Sequence, residues 1–197
     1  MAVLSLMPCK TEILFITGAA GVGKSTLCWE MSSQLAEAGI SHAVIESDEL
    51  DRVFPKPAQA ELDSLKPGTI DLSALNLAAM WSTYRALGHT RLIMSGVVMH
   101  PDFDRRWVMA AIPDASIKFV RLIASESTLI ARLSGRETGS SASAQVERTL
   151  RQARRIATEK PDSSLRFETD GETPETLAIK ILYGCGWLDR TLNAAKN

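Results

Sequence analysis

Residues 18–25 read Gly-Ala-Ala-Gly-Val-Gly-Lys-Ser, and this octapeptide decides the fold. It matches the pattern G-x-x-x-x-G-K-[ST], the P-loop, whose backbone N–H groups surround phosphate oxygens. The apolar run at 13–16 precedes the octapeptide and predicts a buried strand, while the stretch 26–38 after it favours a helix. The loop would therefore lead from a strand to the positive N-terminal end of a helix, where phosphate groups bind.

Each position of the octapeptide has an expected task. Lys24 would reach the β- and γ-phosphates of a nucleotide, and the Ser25 hydroxyl would hold Mg²⁺. A chance match in a glycine-rich turn is the alternative, and the flanking strand and helix argue against it. The expected nucleotide contacts are Gly18, Ala19, Ala20, Gly21, Val22, Gly23, Lys24, Ser25 and Thr26.

Length and charge narrow the class of protein. A chain of 197 residues is expected to form one domain over 1–197, and a formal net charge of −1 offers no basic field for nucleic acid or an acidic membrane. No apolar run approaches the roughly 20 residues of a membrane helix. Cys9, Cys28 and Cys185 fit neither a disulfide framework nor a zinc site, so a reducing cytoplasm is expected, with Cys28 a buried apolar residue.

The rest of the chain alternates predicted strands with predicted helices. This alternation is typical of an α/β fold with a parallel sheet and helices on both faces. A stretch rich in Pro, Asp and Lys at 51–68 interrupts the pattern. The predicted strands are 12–17, 42–46, 91–98, 116–122 and 165–168, and the predicted helices are 24–38, 69–86, 102–111, 125–133, 144–159 and 174–183.

A second candidate site lies where the second strand ends in charged residues. In open α/β sheets, ligands bind outside the carboxyl ends of the strands, so Asp48 would lie across from the phosphates. There it could accept a proton from an attacking hydroxyl or help to hold Mg²⁺ through water. Alternatively, Asp48 only caps a helix starting at Glu49. Arg52 could hold an anionic group of the acceptor, although a surface arginine is nearly as good an explanation.

These residues give the chain a resemblance to a known group. The octapeptide 18–25, the step Ser47-Asp48-x-x-Asp51-Arg52 and the basic segment further on resemble the small P-loop kinases. That group includes shikimate, gluconate, adenylylsulfate and nucleoside monophosphate kinases and chloramphenicol phosphotransferase. The resemblance implies a P-loop NTPase three-layer sandwich with strand order 2-3-1-4-5, ATP and Mg²⁺ as cofactors, and Asp48 as catalytic base.

The resemblance also implies a mobile lid over about 132–148. Arg132 and Arg136 are four residues apart, so they would share a helix face. By resemblance, Arg132 packs on the adenine or the phosphates and Arg136 reaches the transferring group. The alternative is a solvated helix end followed by a flexible loop. Gly171 lies in a turn that, by resemblance, contacts adenine, but an ordinary strand-to-helix turn explains it equally well.

The acceptor pocket is expected within about 50–110. Gly96 would let a substrate approach the backbone, His100 could act as a secondary acid or base, and Arg105 could contact an anion. Phe54 and Trp81 are expected in the core, whereas Trp107 could stack on a ring of the substrate.

Three functions remain in competition. The favoured one is an ATP- and Mg²⁺-dependent phosphotransferase that phosphorylates a hydroxyl of a small metabolite or antibiotic. A nucleoside monophosphate kinase would need several arginines around its acceptor, and a regulatory nucleotide-binding protein would want the Walker B acid. Strand three lacks that acid, because residues 95–98 are Ser-Gly-Val-Val. The expected partners are therefore ATP and a small-molecule acceptor, with neither nucleic acid nor membrane.

Overall fold

Five parallel strands form the central sheet in the order β2-β3-β1-β4-β5. The structure is a computed structural model that describes residues 10–96, 101–134, 142–158 and 164–189. The predicted fold class and strand order are confirmed. The strands are β1 (Glu12–Thr17), β2 (Ala43–Glu46), β3 (Arg91–Gly96), β4 (Ser116–Ile123) and β5 (Leu165–Glu168).

Helices connect the strands, and most begin and end within a few residues of the predicted bounds. The helix expected at 69–86 starts later, because the Asp71 side chain caps it by accepting a hydrogen bond from the Ala74 N–H at 2.8 Å. The helices are α1 (Lys24–Glu37), α2 (Gln59–Leu65), α3 (Leu72–Ala86), α4 (Pro101–Ala111), α5 (Glu126–Ser134), α6 (Ala142–Thr158) and α7 (Pro174–Gly184). A short 3₁₀ turn, Ser47–Glu49, follows β2 directly.

Helix α2 lies in the stretch 51–68, where the sequence pattern predicts no helix. Its first turn is stabilised by Glu61, whose carboxylate accepts a hydrogen bond from the Ala58 N–H at 2.7 Å. Only Leu62 of this helix is buried. Because one buried residue leaves no apolar period to detect, the helix escapes a reading based on hydrophobic spacing.

Alternating strand residues face two separate hydrophobic cores. Leu14 and Ile16 of β1 pack on one side of the sheet, and Ile13 and Phe15 pack on the other. The first core is completed mainly by α1 and α7, and the second by α3 and α4. We refer to them below as the α1/α7 core and the α3/α4 core.

Of the two aromatic residues expected in the core, one is buried and the other is exposed. Trp81 is buried in the α3/α4 core, and its indole N–H donates to Thr11 Oγ1 at 3.2 Å. Phe54 is 95% exposed, so its expected burial is wrong. The reason is its position in the segment between the 3₁₀ turn and α2, which lies outside both cores. Cys28 is buried, as expected.

No helix within the described ranges is long and apolar enough to cross a membrane.

Candidate active site

The loop between β1 and α1 lies against the end of β4. A Cβ atom on Gly18 would come within 2.6 Å of the Leu122 carbonyl oxygen, and its φ of 149° also disfavours any other residue. Helix α1 begins at Lys24, immediately after the loop. The N–H groups of its first turn therefore face the space that the loop encloses.

The Lys24 ammonium bends over the loop. Its Nζ donates to the carbonyl oxygens of Gly18 at 3.0 Å and Ala19 at 3.1 Å. The partly buried Ser25 follows at the helix start. A cation, a helix N-terminus and a hydroxyl oxygen thus come together, and this donor set fits phosphate oxygens and a hard divalent cation.

A cavity of about 290 Å³ opens beside the loop, among α1, β4, α5 and the turn after β5. Its walls are largely apolar with a few polar groups, as in sites that hold a nucleoside. The lining residues are Gly21, Val22, Gly23, Thr26, Leu27, Leu122, Arg132, Thr169, Glu172, Pro174 and Leu177. Of the other expected nucleotide contacts, Ala19 is buried and Ala20 is half-buried in the loop itself.

Arg132 of α5 joins the two sides of this cavity. One of its nitrogens, Nη1, donates to the Val22 carbonyl at 2.9 Å and to Thr169 Oγ1 at 3.1 Å. The guanidinium therefore lies between the phosphate loop and the turn after β5, beside any bound nucleotide. Thr169 escaped the sequence analysis, although a polar residue at the carboxyl end of a strand was an available signal. Arg136 lies outside the described residues.

The turn after β5 is tied to the start of α5. Asp170 Oδ2 accepts a hydrogen bond from the Ser125 N–H at 2.7 Å. The hydrogen bond from the Thr128 side chain, followed by that from the Ser125 backbone, lowers the pKa of Asp170. Gly171 shapes this turn with a φ of 72° but is not among the residues lining the cavity. The neighbouring Glu172 lines it and pairs with Lys180 at 2.6 Å.

Asp48 lies in the 3₁₀ turn directly after β2 and is exposed. Strand β3 separates β2 from β1, so Asp48 and the phosphate loop lie at the same edge of the sheet, one strand apart. Ser47 fixes the start of the turn over β3. A Cβ atom on Gly96 would collide with the Ser47 Oγ, so the missing side chain makes room for this turn and not, as expected, for a substrate.

Glu46 is a site residue that the sequence analysis missed. Burial and, after it, the Glu46 carboxylate raise the pKa of the Cys28 thiol to about 12, against the opposing effects of the Ser95 hydrogen bond and the Lys24 ammonium. Glu46 and Lys24 are therefore both close enough to Cys28 in helix α1 to influence its charge. Strand alternation carried the signal, since Ala43 and Ile45 face the α3/α4 core and Glu46 must face α1.

Asp48 lines an open depression of about 470 Å³, which is called the acceptor depression below because it contains the expected acceptor contacts Asp48 and Arg52. It is lined by Asp48, Asp51, Arg52, Val53, Phe54 and Lys56. Arg52 forms an ion pair with Glu49 at 2.9 Å, and Lys56 forms one with Asp51 at 2.6 Å. Asp48 and Arg52 thus line the same depression, where the Arg52 guanidinium is already paired with Glu49.

Other predicted acceptor residues lie elsewhere. Arg105 donates to the Ile117 carbonyl at 3.3 Å and stacks over the Phe119 ring at 5.2 Å. Ile117 is near the start of β4, so the structure does not bring Arg105 to the edge that carries Asp48. Trp107 is buried and donates to Asp71 at 3.0 Å, which leaves its ring in the core. His100 lies outside the described residues.

Metal donors at this edge are dispersed. Among the described residues, no group of three or more His, Cys, Asp or Glu side chains gathers closely enough to hold a metal ion. The Ser25 hydroxyl and single carboxylates, Glu46 and Asp48, are the available oxygen donors. Such a sparse set suits Mg²⁺, which usually keeps several waters and binds through one or two carboxylates together with substrate phosphates.

The fold and loop define a P-loop nucleotide-binding protein. Residues 13–159 match the family described as "AAA domain", and the chain belongs to that family. A Halobacterium salinarum protein named as an arsenical pump-driving ATPase is 33% identical over 87 residues. That match covers 42% of this chain and only 14% of the relative's length.

Solved structures share the fold over nearly the whole chain. The Deinococcus radiodurans tunicamycin resistance protein matches with a TM-score of 0.57 at 21% identity, covering 90% of this chain and 96% of that one. A sugar kinase from Janibacter gives 0.57 at 19%, covering 89% and 95%. A gluconokinase from Sinorhizobium meliloti gives 0.54 at 20%, covering 96% and 99%. The resemblance to the small P-loop kinases is confirmed for the fold.

Proposed function

We propose that the protein is an ATP- and Mg²⁺-dependent phosphotransferase that moves the γ-phosphate to a hydroxyl group of a small acceptor. The observation that carries the proposal is the placement of a carboxylate, Asp48, at the same sheet edge as the phosphate loop and Lys24. The named activities of two proteins with this fold, a sugar kinase and a gluconokinase, support the same class of reaction.

The nucleotide would be held from two sides. The loop N–H groups and Lys24 would hold the β- and γ-phosphates, and Arg132 would position the nucleoside through its bonds to Val22 and Thr169. The oxygens of Ser25, Glu46 and Asp48 would hold Mg²⁺ directly or through water. When bound there, the metal neutralises negative charge on the phosphates.

Transfer needs one proton movement. Asp48 accepts the proton of the acceptor hydroxyl as the new oxygen–phosphorus bond forms, and the bond from the γ-phosphorus to the β,γ-bridging oxygen breaks to release ADP. Asp48 suits this role because it is exposed within the acceptor depression. Within the proposal, Arg136 stays the candidate for neutralising charge on the transferring group.

The test is ADP release with ATP and Mg²⁺ over a panel of sugars, sugar acids, antibiotics, nucleosides and nucleoside monophosphates. Asp48→Asn should keep ATP binding and lower turnover by about 10²–10⁴-fold, the usual contribution of a general base. Glu49→Gln is the matched control, because Glu49 is the next carboxylate in the same turn and pairs with Arg52. Full turnover in Asp48→Asn would remove Asp48 as the base.

Lys24→Ala should abolish transfer and weaken ATP binding, since the ammonium lies over the loop.

The identity of the acceptor that stimulates ADP release distinguishes the candidate functions. A nucleoside monophosphate whose stimulation survives Asp48→Asn would indicate a nucleoside monophosphate kinase, because a phosphate oxyanion needs no base.

A further inference from the structure

The acceptor depression has an unusual balance of groups. Its lining contains two carboxylates, Asp48 and Asp51, two cations, Arg52 and Lys56, and two apolar side chains, Val53 and Phe54. Two carboxylates and two cations cancel, so the lining offers no net positive charge. Resting on the function proposed above, we infer that the acceptor carries no strong negative charge and presents an aromatic or other flat apolar face to Phe54.

The cations of the acceptor depression are held in ion pairs. Both cations are already engaged by carboxylates, Arg52 by Glu49 at 2.9 Å and Lys56 by Asp51 at 2.6 Å. A phosphate or carboxylate on the acceptor would have to displace these partners and would also lie near Asp48. Because like charges repel each other, the depression disfavours a densely anionic acceptor.

The apolar side chains of the acceptor depression are unusually exposed to solvent. Phe54 is 95% exposed and the adjacent Val53 is 46% exposed, and both line the depression that contains Asp48. Among the large apolar residues of the described ranges, no other is as exposed as Phe54. A flat apolar surface that covers an exposed aromatic ring next to the proposed base removes apolar area from water, which lowers the free energy of the complex.

These two observations fix an arrangement for the acceptor. Its hydroxyl lies at Asp48, and its apolar face lies on Phe54. The depression, at about 470 Å³, is within the usual size range of small-molecule sites. Phe54 is thus a specificity-determining residue, with Val53 extending the same surface.

The experiment uses pairs of compounds with matched hydroxyls, namely 4-nitrophenyl glycosides and the corresponding free sugars. Binding is measured by saturation-transfer NMR titration on the full chain with ADP and Mg²⁺, and transfer is followed separately by ADP release. The aryl compounds should bind about tenfold or more tightly than the free sugars, with saturation strongest on the aromatic protons.

Two variants of Phe54 test whether its ring contacts the aryl group of the acceptor. Phe54→Ser should remove the aryl preference, and Phe54→Trp should retain it. Leu87→Ser is the matched control, because Leu87 is also highly exposed, at 72%, but lies just before β3 at the opposite edge of the sheet. Because Phe54 and Leu87 are both exposed, neither serine variant should shift the melting temperature appreciably.

The outcomes separate this inference from the proposed function. Loss of the aryl preference in Phe54→Ser but not in Leu87→Ser supports the inference. Equal binding of both compounds, binding of neither, or a preference that survives Phe54→Ser overturns it. Transfer that is fastest to a sugar acid overturns the inference while the phosphotransferase stands. Aryl binding through Phe54 with no ADP release from any hydroxyl compound overturns the phosphotransferase instead.

Discussion

A missing side chain positions the proposed base. Strand β3 ends at Gly96, and the space above this residue is filled by Ser47, the residue before Asp48. The 3₁₀ turn can therefore lie close over the sheet, with its carboxylate at the edge that carries the phosphate loop. The geometry of Asp48 depends on a contact between two small residues, one in the turn after β2 and one at the end of β3.

Gly96→Ala should lower turnover by about tenfold or more while ATP binding persists, because the new methyl group must displace Ser47 and with it Asp48. The double variant Ser47→Ala/Gly96→Ala should recover much of the loss, since the colliding hydroxyl is gone. Steady-state ADP release and ATP titrations measure the two effects. Ser47→Ala alone serves as the control, and a double variant no better than Gly96→Ala would contradict the steric explanation.

Arg132 contributes to the nucleotide site through the geometry of its hydrogen bonds as well as through its positive charge. Arg132→Lys keeps the positive charge but cannot reach the Val22 carbonyl and Thr169 together. ATP affinity should fall about tenfold, as expected for a lost hydrogen bond from a charged group. Isothermal titration provides the measurement. Arg154→Lys is the control, because Arg154 forms an exposed pair with Glu126 at 2.7 Å and should not affect ATP. Unchanged affinity in Arg132→Lys would remove this residue from the nucleotide site.

At the scale of secondary structure, elements with a strong apolar period were predictable and those with none were not. The octapeptide 18–25 and the alternation of strands and helices predict a parallel sheet and most helix bounds, and the resemblance to the small P-loop kinases implies the strand order. Helix α2 escaped because it buries a single leucine, and Phe54 was misplaced because large aromatics are usually buried. Strand alternation and position at a strand end mark Glu46 and Thr169 as polar residues near the phosphate loop, but their partners Lys24 and Arg132 lie far away in the sequence, so local patterns do not identify the contacts.

Asp170, in the turn after β5, accepts hydrogen bonds from the start of α5, and these bonds should make the stability of the protein depend on pH. The pKa of Asp170 is lowered in the folded protein, so the stabilisation is present above the ordinary value of 3.8 and is lost as the pH falls through the folded-state pKa. Asp170→Ala should destabilise the protein at neutral pH by no more than about 1 kcal/mol, because the carboxylate is exposed. Denaturant titrations at several pH values should show this difference shrinking in acid. A difference that grows in acid would contradict the assignment.

For the whole molecule, ligand binding should be visible as stability. Mg²⁺-ATP that binds only the folded chain should raise its unfolding free energy by about 2.7 kcal/mol at one hundred times the dissociation constant. Lys24→Ala should lose most of this increase, and Asp48→Asn should keep it. Thermal unfolding with and without nucleotide provides the comparison. An equal increase in Lys24→Ala would mean that the nucleotide binds somewhere other than the loop.

The sheet has one more consequence, which concerns how such a protein can change over time. Loop residues Ala19 and Val22 pack into the α1/α7 core, while Leu50 and Trp107, which flank the acceptor region, pack into the α3/α4 core. The sheet separates these two sets of residues, one on each of its faces. Mutations that change residues on the α3/α4 side of the sheet need not disturb those that pack beside the phosphate loop on the α1/α7 side. Under the proposed function, descendants of such a chain can therefore acquire new acceptors while keeping the same phosphate donor.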